Sequence, residues 1–176
     1  MDALCRAVIA TIAYFDTQEI PLTALECFAW LYREESNPLR AVSLAAVEET
    51  LRTLSARGIL GFSQGFFFVA GKKHAVARRK ERERIAWKKE RRARIAAFLL
   101  RAIPSVRYAA ICNTLAWRSA GEESDIDVLM VTRAGCIWTA RFFAAAILHV
   151  FGLRRHGARI KDRMCLSFFA TEDALN

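Results

Sequence analysis

From His74 to Ile103 the chain contains neither proline nor glycine, and strong helix formers fill the stretch until Pro104 closes it. Such a segment has one favourable local structure, a long helix, because the residue before a proline is pushed out of the α region. The same stretch holds the charge. Between Lys72 and Arg94 there are twelve Lys or Arg and three Glu, a surplus of nine that equals the net charge of +9 of all 176 residues. Elsewhere fifteen basic and fifteen acidic residues cancel. Ala75, Ala77, Ile85, Ala86, Trp87, Ile95, Phe98 and Leu99 are the positions available to pack this helix. It divides the chain into blocks 1–71, 72–103 and 104–176. Its surplus reads in two ways: a solvated face laced with ion pairs, or an electrostatic footprint at 72–94 for nucleic acid or for the triphosphate of a substrate.

The first block has the punctuation of three helices and a hairpin. Leu4 to Phe15 is apolar enough for a first helix. Thr23 caps a second, with Glu26 three residues on completing a capping box, and Leu25, Phe28, Ala29 and Leu31 supply its apolar positions. A third starts at the Ser43 hydroxyl, carries Leu44, Val47, Leu51 and Leu54 at spacings of three and four, and stops at Gly58. Ile59–Phe62 and Phe66–Val69, separated by Ser63-Gln64-Gly65, predict a hairpin. Three helices followed by a two-stranded wing is the winged-helix order. The outward face of the third helix offers Glu48, Glu49, Thr50, Arg52, Thr53 and Arg57, too balanced in charge for reading DNA, so packing or protein contact is the expected role.

In the last block the informative letters are Ser124-Asp125-Ile126-Asp127, followed by the apolar run Val128–Val131. Strand side chains alternate faces, so Asp125 and Asp127 project from the same side. Two carboxylates so placed repel unless a cation joins them, and Mg²⁺ (or Mn²⁺) binds through such carboxylates together with substrate phosphates. An earlier apolar run, Val106–Cys112, ends in Asn113-Thr114, and a polar stretch from Arg118 to Ser124 connects the two. A helix from about Cys136 to Val150 and a strand at Met164–Phe169 follow.

On these residues, positions 104–170 resemble the nucleotidyltransferase superfamily typified by DNA polymerase beta and the minimal nucleotidyltransferases. The motif is Gly-Ser, a spacer, then Asp-x-Asp among apolar strand residues, and Ala116, Ser124, Asp125, Ile126 and Asp127 match it. Positions 85–176 also resemble bacterial proteins that carry this domain behind a helical, winged-helix-like region. The departures are specific: Asn113 stands where the family has Gly, Thr114 where it has Ser, Arg118 where it has a second Gly, and Ser167 where it has a third acid.

The resemblance implies an α+β protein: a winged-helix-like N-terminal domain, a long basic linking helix, and a nucleotidyltransferase-type core with a mixed sheet, 104–176 being a short version of it. It implies a nucleoside triphosphate held with Mg²⁺ or Mn²⁺, Asp125 and Asp127 being catalytic and metal-ligating and Asn113, Thr114, Arg118 and Ser124 touching substrate. A nucleotidyl group would pass to an acceptor that no residue identifies. Two other readings stand beside this one. The first is a nucleotide-binding or regulatory, antitoxin-type protein on the same fold, acting through a protein partner or as a homo-oligomer. The second is a basic nucleic-acid-binding module.

Other chemistries find no footing. Cys5, Cys27, Cys112, Cys136 and Cys165 are scattered in apolar runs without a Cys-x-x-Cys pair, so they read as small hydrophobes in a reduced, cytoplasmic setting. His74, His149 and His156 are isolated, which leaves Ser/His and Cys/His catalysis unsupported. The N-terminus lacks the features of a signal peptide. The longest apolar stretch, Phe142–Leu153, is too short to span a bilayer and reads as a buried helix.

Overall fold

The computed structural model describes residues 2–32 and 42–175 and shows an α+β protein. The chain divides into two compact units, Met1–Glu81 and Arg82–Asn176.

In the first unit, α1 (Ala3–Asp16) begins where the Asp2 carboxylate accepts the Cys5 N–H at 2.7 Å. It buries Ala7, Val8, Ile12 and Phe15, one side of the helix. α2 (Ala24–Ala29) starts with the expected capping box: the Glu26 N–H donates to the Thr23 hydroxyl at 3.2 Å, and the Thr23 N–H donates to Glu26 Oε2 at 2.9 Å. Only part of its anticipated apolar set is inside. Leu25 is exposed, because the short helix turns that position outward, whereas Cys27 and the following Leu31 are buried. α3 (Leu44–Ala56) begins at Ser43, whose hydroxyl accepts the Ala46 N–H at 3.2 Å. Val47, Leu51 and Leu54 form its buried stripe, and Leu44 at the first turn stays at the surface.

β1 (Leu60–Ser63) and β2 (Phe66–Val69) pair antiparallel through a two-residue turn. Gln64 and Gly65 both have positive φ, at 54° and 87°, the backbone that matches a tight hairpin to strand twist. Leu22 adds a bridge to β2, exchanging hydrogen bonds with Phe67 at 2.9 and 2.7 Å.

α4 (His74–Leu100) is the long helix, ending three residues before the expected Ile103 in a turn at Arg101 and Ala102. Within the second unit its buried face is Ala86, Lys89, Ala93, Ala96 and Leu100, spaced three and four apart. The expectation that Trp87, Ile95 and Phe98 pack is corrected: they are 57, 55 and 70% exposed. The helical period decides this. The buried stripe is mostly alanine, and the three large side chains fall off it.

The second unit is built on β3 (Val106–Ile111), β4 (Ile126–Thr132) and β5 (Met164–Thr171), in the order β3-β4-β5. β3 runs antiparallel to β4, and β4 parallel to β5, so the sheet is mixed. The parallel pair requires a crossover, which α6 (Ile137–Val150) supplies. The single turn α5 (Asn113–Ala116) follows β3. Ile126, Val128 and Met130 are buried with Met164, Ala144 and Leu148 in one core. α6 buries only Ala140, Ala144 and Leu148. Trp138, Phe142, Phe143 and Val150 are exposed, so the apolar run is a one-sided helix rather than a fully buried one. No helix among the described residues is long and apolar enough to cross a membrane.

Candidate metal and phosphate site

The chain enters the site at the end of β3. Asn113 takes φ +56° and Arg118 φ +51°, both in the left-handed region that favours glycine. Asparagine tolerates that region; arginine has no intrinsic reason to adopt it. The loop is anchored from below by Leu115 and Ala120, both buried, and closed by the Ser119 N–H donating to the Thr114 carbonyl at 2.8 Å.

Lys89 fixes the approach to β4. Its side chain is fully buried, and its ammonium donates to the Ser124 carbonyl at 2.6 Å, to Asp162 Oδ1 at 2.7 Å and to the Glu122 carbonyl at 3.2 Å. An ammonium has three protons, so each finds an acceptor. The Asp162 N–H also donates to the Ser124 carbonyl at 3.1 Å, and the Ile126 N–H to the Arg163 carbonyl at 2.8 Å. The residue before Asp125 is therefore held by helix α4 on one side and by the segment preceding β5 on the other.

Asp127 is oriented at both oxygens. Asn113 Nδ2 donates to Oδ2 at 2.9 Å, and the Ser167 hydroxyl donates to Oδ1 at 2.5 Å. Ser167 stands one alternation beyond Cys165, the residue paired with Asp127 across the parallel β4–β5 ladder. Asp125 carries a cation already: Arg155 Nη1 lies 2.6 Å from its Oδ2 and 3.8 Å from Cys165 Sγ. The hydrogen bond it donates to Asp125, with the charge of that carboxylate, raises the Arg155 pKa above its ordinary value. Burial pushes the nearby Cys112 thiol up, with the charges of Asp127 and Cys165 adding to it.

Ligand atoms of Asp125, Asp127 and Cys165 all lie within 4.8 Å of one another. Two carboxylates and a sulfur in that span can close on one divalent ion. The oxygens suit Mg²⁺ or Mn²⁺, and the hydrogen bonds from Asn113 and Ser167 leave each Asp127 oxygen a further lone pair.

The residues expected at the site divide in two. Asn113, Asp125 and Asp127 converge, and Thr114 is exposed beside Asn113. Two other side chains turn elsewhere: Arg118 Nε donates to Glu90 on α4 at 3.2 Å, and the Ser124 hydroxyl donates to the Gly121 carbonyl at 2.9 Å. Cys165, Arg155 and Lys89 were not among the expected site residues. Cys165 read as a small hydrophobe and Lys89 as one charge of a run; only strand register and tertiary packing single them out. Arg155, on the loop between α6 and β5, carried no motif at all.

An apolar groove of about 400 Å³ lies apart from these carboxylates, between α4 and β3, lined by Ala93, Ala97, Leu100, Tyr108 and Ala109 among others. Neither Asp125 nor Asp127 lines it. Comparison of the chain with protein-family models, with curated proteins and with solved structures finds no match.

Proposed function

We propose that this chain is a nucleotidyltransferase-like protein that binds a nucleoside triphosphate together with Mg²⁺ or Mn²⁺ at Asp125 and Asp127. One observation carries the reading: the backbone is left-handed at Asn113 and Arg118, the two positions where the resembled family has glycine. The side chains there have changed, yet the conformation a glycine would serve persists. That backbone supports reading the segment as a phosphate-approaching turn.

In this reading Asp125 and Asp127 hold the ion, with Cys165 beside them, and Asn113 and Ser167 aim the Asp127 carboxylate. The Thr114 hydroxyl takes a phosphate oxygen, and Lys89 holds the Ser124 carbonyl so that the loop keeps its shape. A bound divalent ion supplies neutralisation of phosphate charge for an in-line displacement. An acceptor oxygen attacks the α-phosphorus, the bond to the β,γ-phosphate oxygen breaks, and pyrophosphate leaves.

A second reading is favoured by Ser167 and Arg155. A hydroxyl in place of the third acid and a guanidinium on Asp125 both lower the negative charge that would hold metal. They support a nucleotide-binding or regulatory protein with little turnover. We read the N-terminal unit as winged-helix-like, on its order of three helices and a hairpin. Arg52 is paired to Glu48 at 2.6 Å on α3, which fits protein contact better than DNA reading. The surplus at 72–94 is drawn on internally by Lys72 with Asp16, Arg78 with Glu19, Arg79 with Glu26 and Lys89 with Asp162. These pairs reduce what it offers to nucleic acid.

The test is calorimetric titration with each nucleoside triphosphate, with and without Mg²⁺, on wild type and on Asp125→Asn/Asp127→Asn. Metal-dependent binding that disappears in the double variant is the expected result. Equal binding by both proteins overturns the site. Pyrophosphate release in the presence of candidate acceptors then separates transferase from binding protein.

A further inference from the structure

Arg155 is attached to the candidate site differently from every other residue there. Its backbone is pinned: the Arg155 N–H donates to the Met164 carbonyl at 2.9 Å, and the Met164 N–H donates to the Leu153 carbonyl at 2.7 Å. Its side chain is not. It is 44% exposed, with Nη1 at 2.6 Å from Asp125 Oδ2 and 3.8 Å from Cys165 Sγ. The guanidinium thus touches two of the three groups whose ligand atoms fall within 4.8 Å of one another. A divalent cation drawn to that trio would meet a positive charge at contact distance, and the two cations would repel each other across the Asp125 carboxylate.

We propose that Arg155 is a built-in countercharge that competes with the metal ion for Asp125. Resting on the metal-site reading above, this makes Arg155 a regulator of that site rather than a ligand in it. Without metal the guanidinium neutralises Asp125 and relieves its repulsion with Asp127. When a divalent cation arrives, the Arg155 side chain rotates off into solvent. The peptide at 153–155 stays bonded to β5, so the exchange is a side-chain movement and not the opening of a loop. The pair is partly solvated, so its hold on Asp125 is modest and the metal can displace it.

The experiment titrates Mn²⁺ alone into the full chain, following free Mn²⁺ by electron paramagnetic resonance, for wild type, Arg155→Ala, Arg155→Lys and Asp125→Asn/Asp127→Asn. Arg155→Ala is expected to bind Mn²⁺ about two- to fivefold more tightly than wild type, the range of a partly exposed ion pair. Arg155→Lys keeps a point charge and should stay near wild type. The double variant should lose binding. In wild type, Mg²⁺ should shift the Arg155 Nε–H resonance while the amide protons of residues 153–155 keep their exchange protection, a signature that a merely structural side chain would not produce. Binding by wild type and Arg155→Ala with equal affinity, or weaker binding by Arg155→Ala, overturns the proposal and leaves the metal site standing. Absence of Mn²⁺ binding in both overturns the two together.

Discussion

The Lys89 ammonium lies 2.7 Å from Asp162 Oδ1, and the pair joins helix α4 to the segment that enters β5 at the point where both touch Ser124. Lys89 is fully buried and Asp162 one quarter exposed, so the two ends are not equivalent. Removing the lysine leaves two carbonyls and a carboxylate short of a donor; removing the acid leaves the ammonium with two carbonyl acceptors. Lys89→Ala is expected to cost roughly 3 kcal/mol, as breaking a buried pair does. Asp162→Asn should cost clearly less, because the amide oxygen still accepts. Urea unfolding of both variants measures the difference, and equal costs would show that the ion pair, not the carbonyl bonds, carries Lys89.

The left-handed backbone at Asn113 makes a second claim measurable. An Ala at φ +56° suffers the Cβ clash that Asn partly offsets and Gly avoids. Asn113→Ala should therefore be less stable than Asn113→Gly by about 1 kcal/mol, even though both lose the hydrogen bond to Asp127. Denaturant midpoints of the two variants decide it; an alanine variant as stable as the glycine one would mean that the turn relaxes.

How far these features could be read from residues depends on their range. The caps at Thr23, Ser43 and Gly58 are legible because each is settled within four residues by a hydroxyl, a carboxylate or a missing Cβ. The strands and the helix between the last two are legible as apolar runs, whereas the mixed sheet is what the resemblance implies. On α4 the expected Ala75 and Ala86 are buried, whereas Trp87, Ile95 and Phe98 are not, because the stripe through Ala86, Ala93 and Ala96 obeys the helical period and the large side chains fall off it. Ser167 and Cys165 could be tied to Asp127 only through the register of β4 on β5, which no local pattern specifies. Lys89 looked like its eleven basic neighbours between Lys72 and Arg94 until tertiary packing buried it.

Glu26 gives the N-terminal unit a defined acid response. Burial pushes its pKa up, but hydrogen bonds from Arg79 and Thr23 and the Arg79 charge outweigh that and leave it below the ordinary 4.5. A carboxyl lowered on folding stabilises the native state above its unfolded pKa, and the contribution is lost as pH falls through the lower, folded value. Glu26→Gln should flatten the loss of stability as pH drops below 4.5, measured as denaturant midpoint against pH. An unchanged slope would mean that the Arg79 contact contributes nothing to this unit.

Cys27 is the thiol that should stay silent. It is fully buried on α2, and burial pushes its pKa up to about 12. The thiolate is the nucleophile, so iodoacetamide under native conditions should modify the partly exposed Cys5, Cys112, Cys136 and Cys165 before Cys27. Peptide mass spectrometry reads the order, and early labelling of Cys27 would show that the first core opens readily.

We propose that Asp125 and Asp127, with the Asn113–Arg118 turn, form one site for a metal–nucleotide complex. Its most direct measurement is paramagnetic broadening of backbone amide resonances by substoichiometric Mn²⁺ in the presence of ATP. Signals from residues 112–118, 124–128 and 164–167 should disappear first, and this pattern should be lost in Asp125→Asn/Asp127→Asn. Broadening centred elsewhere, or the same pattern in the double variant, would contradict it.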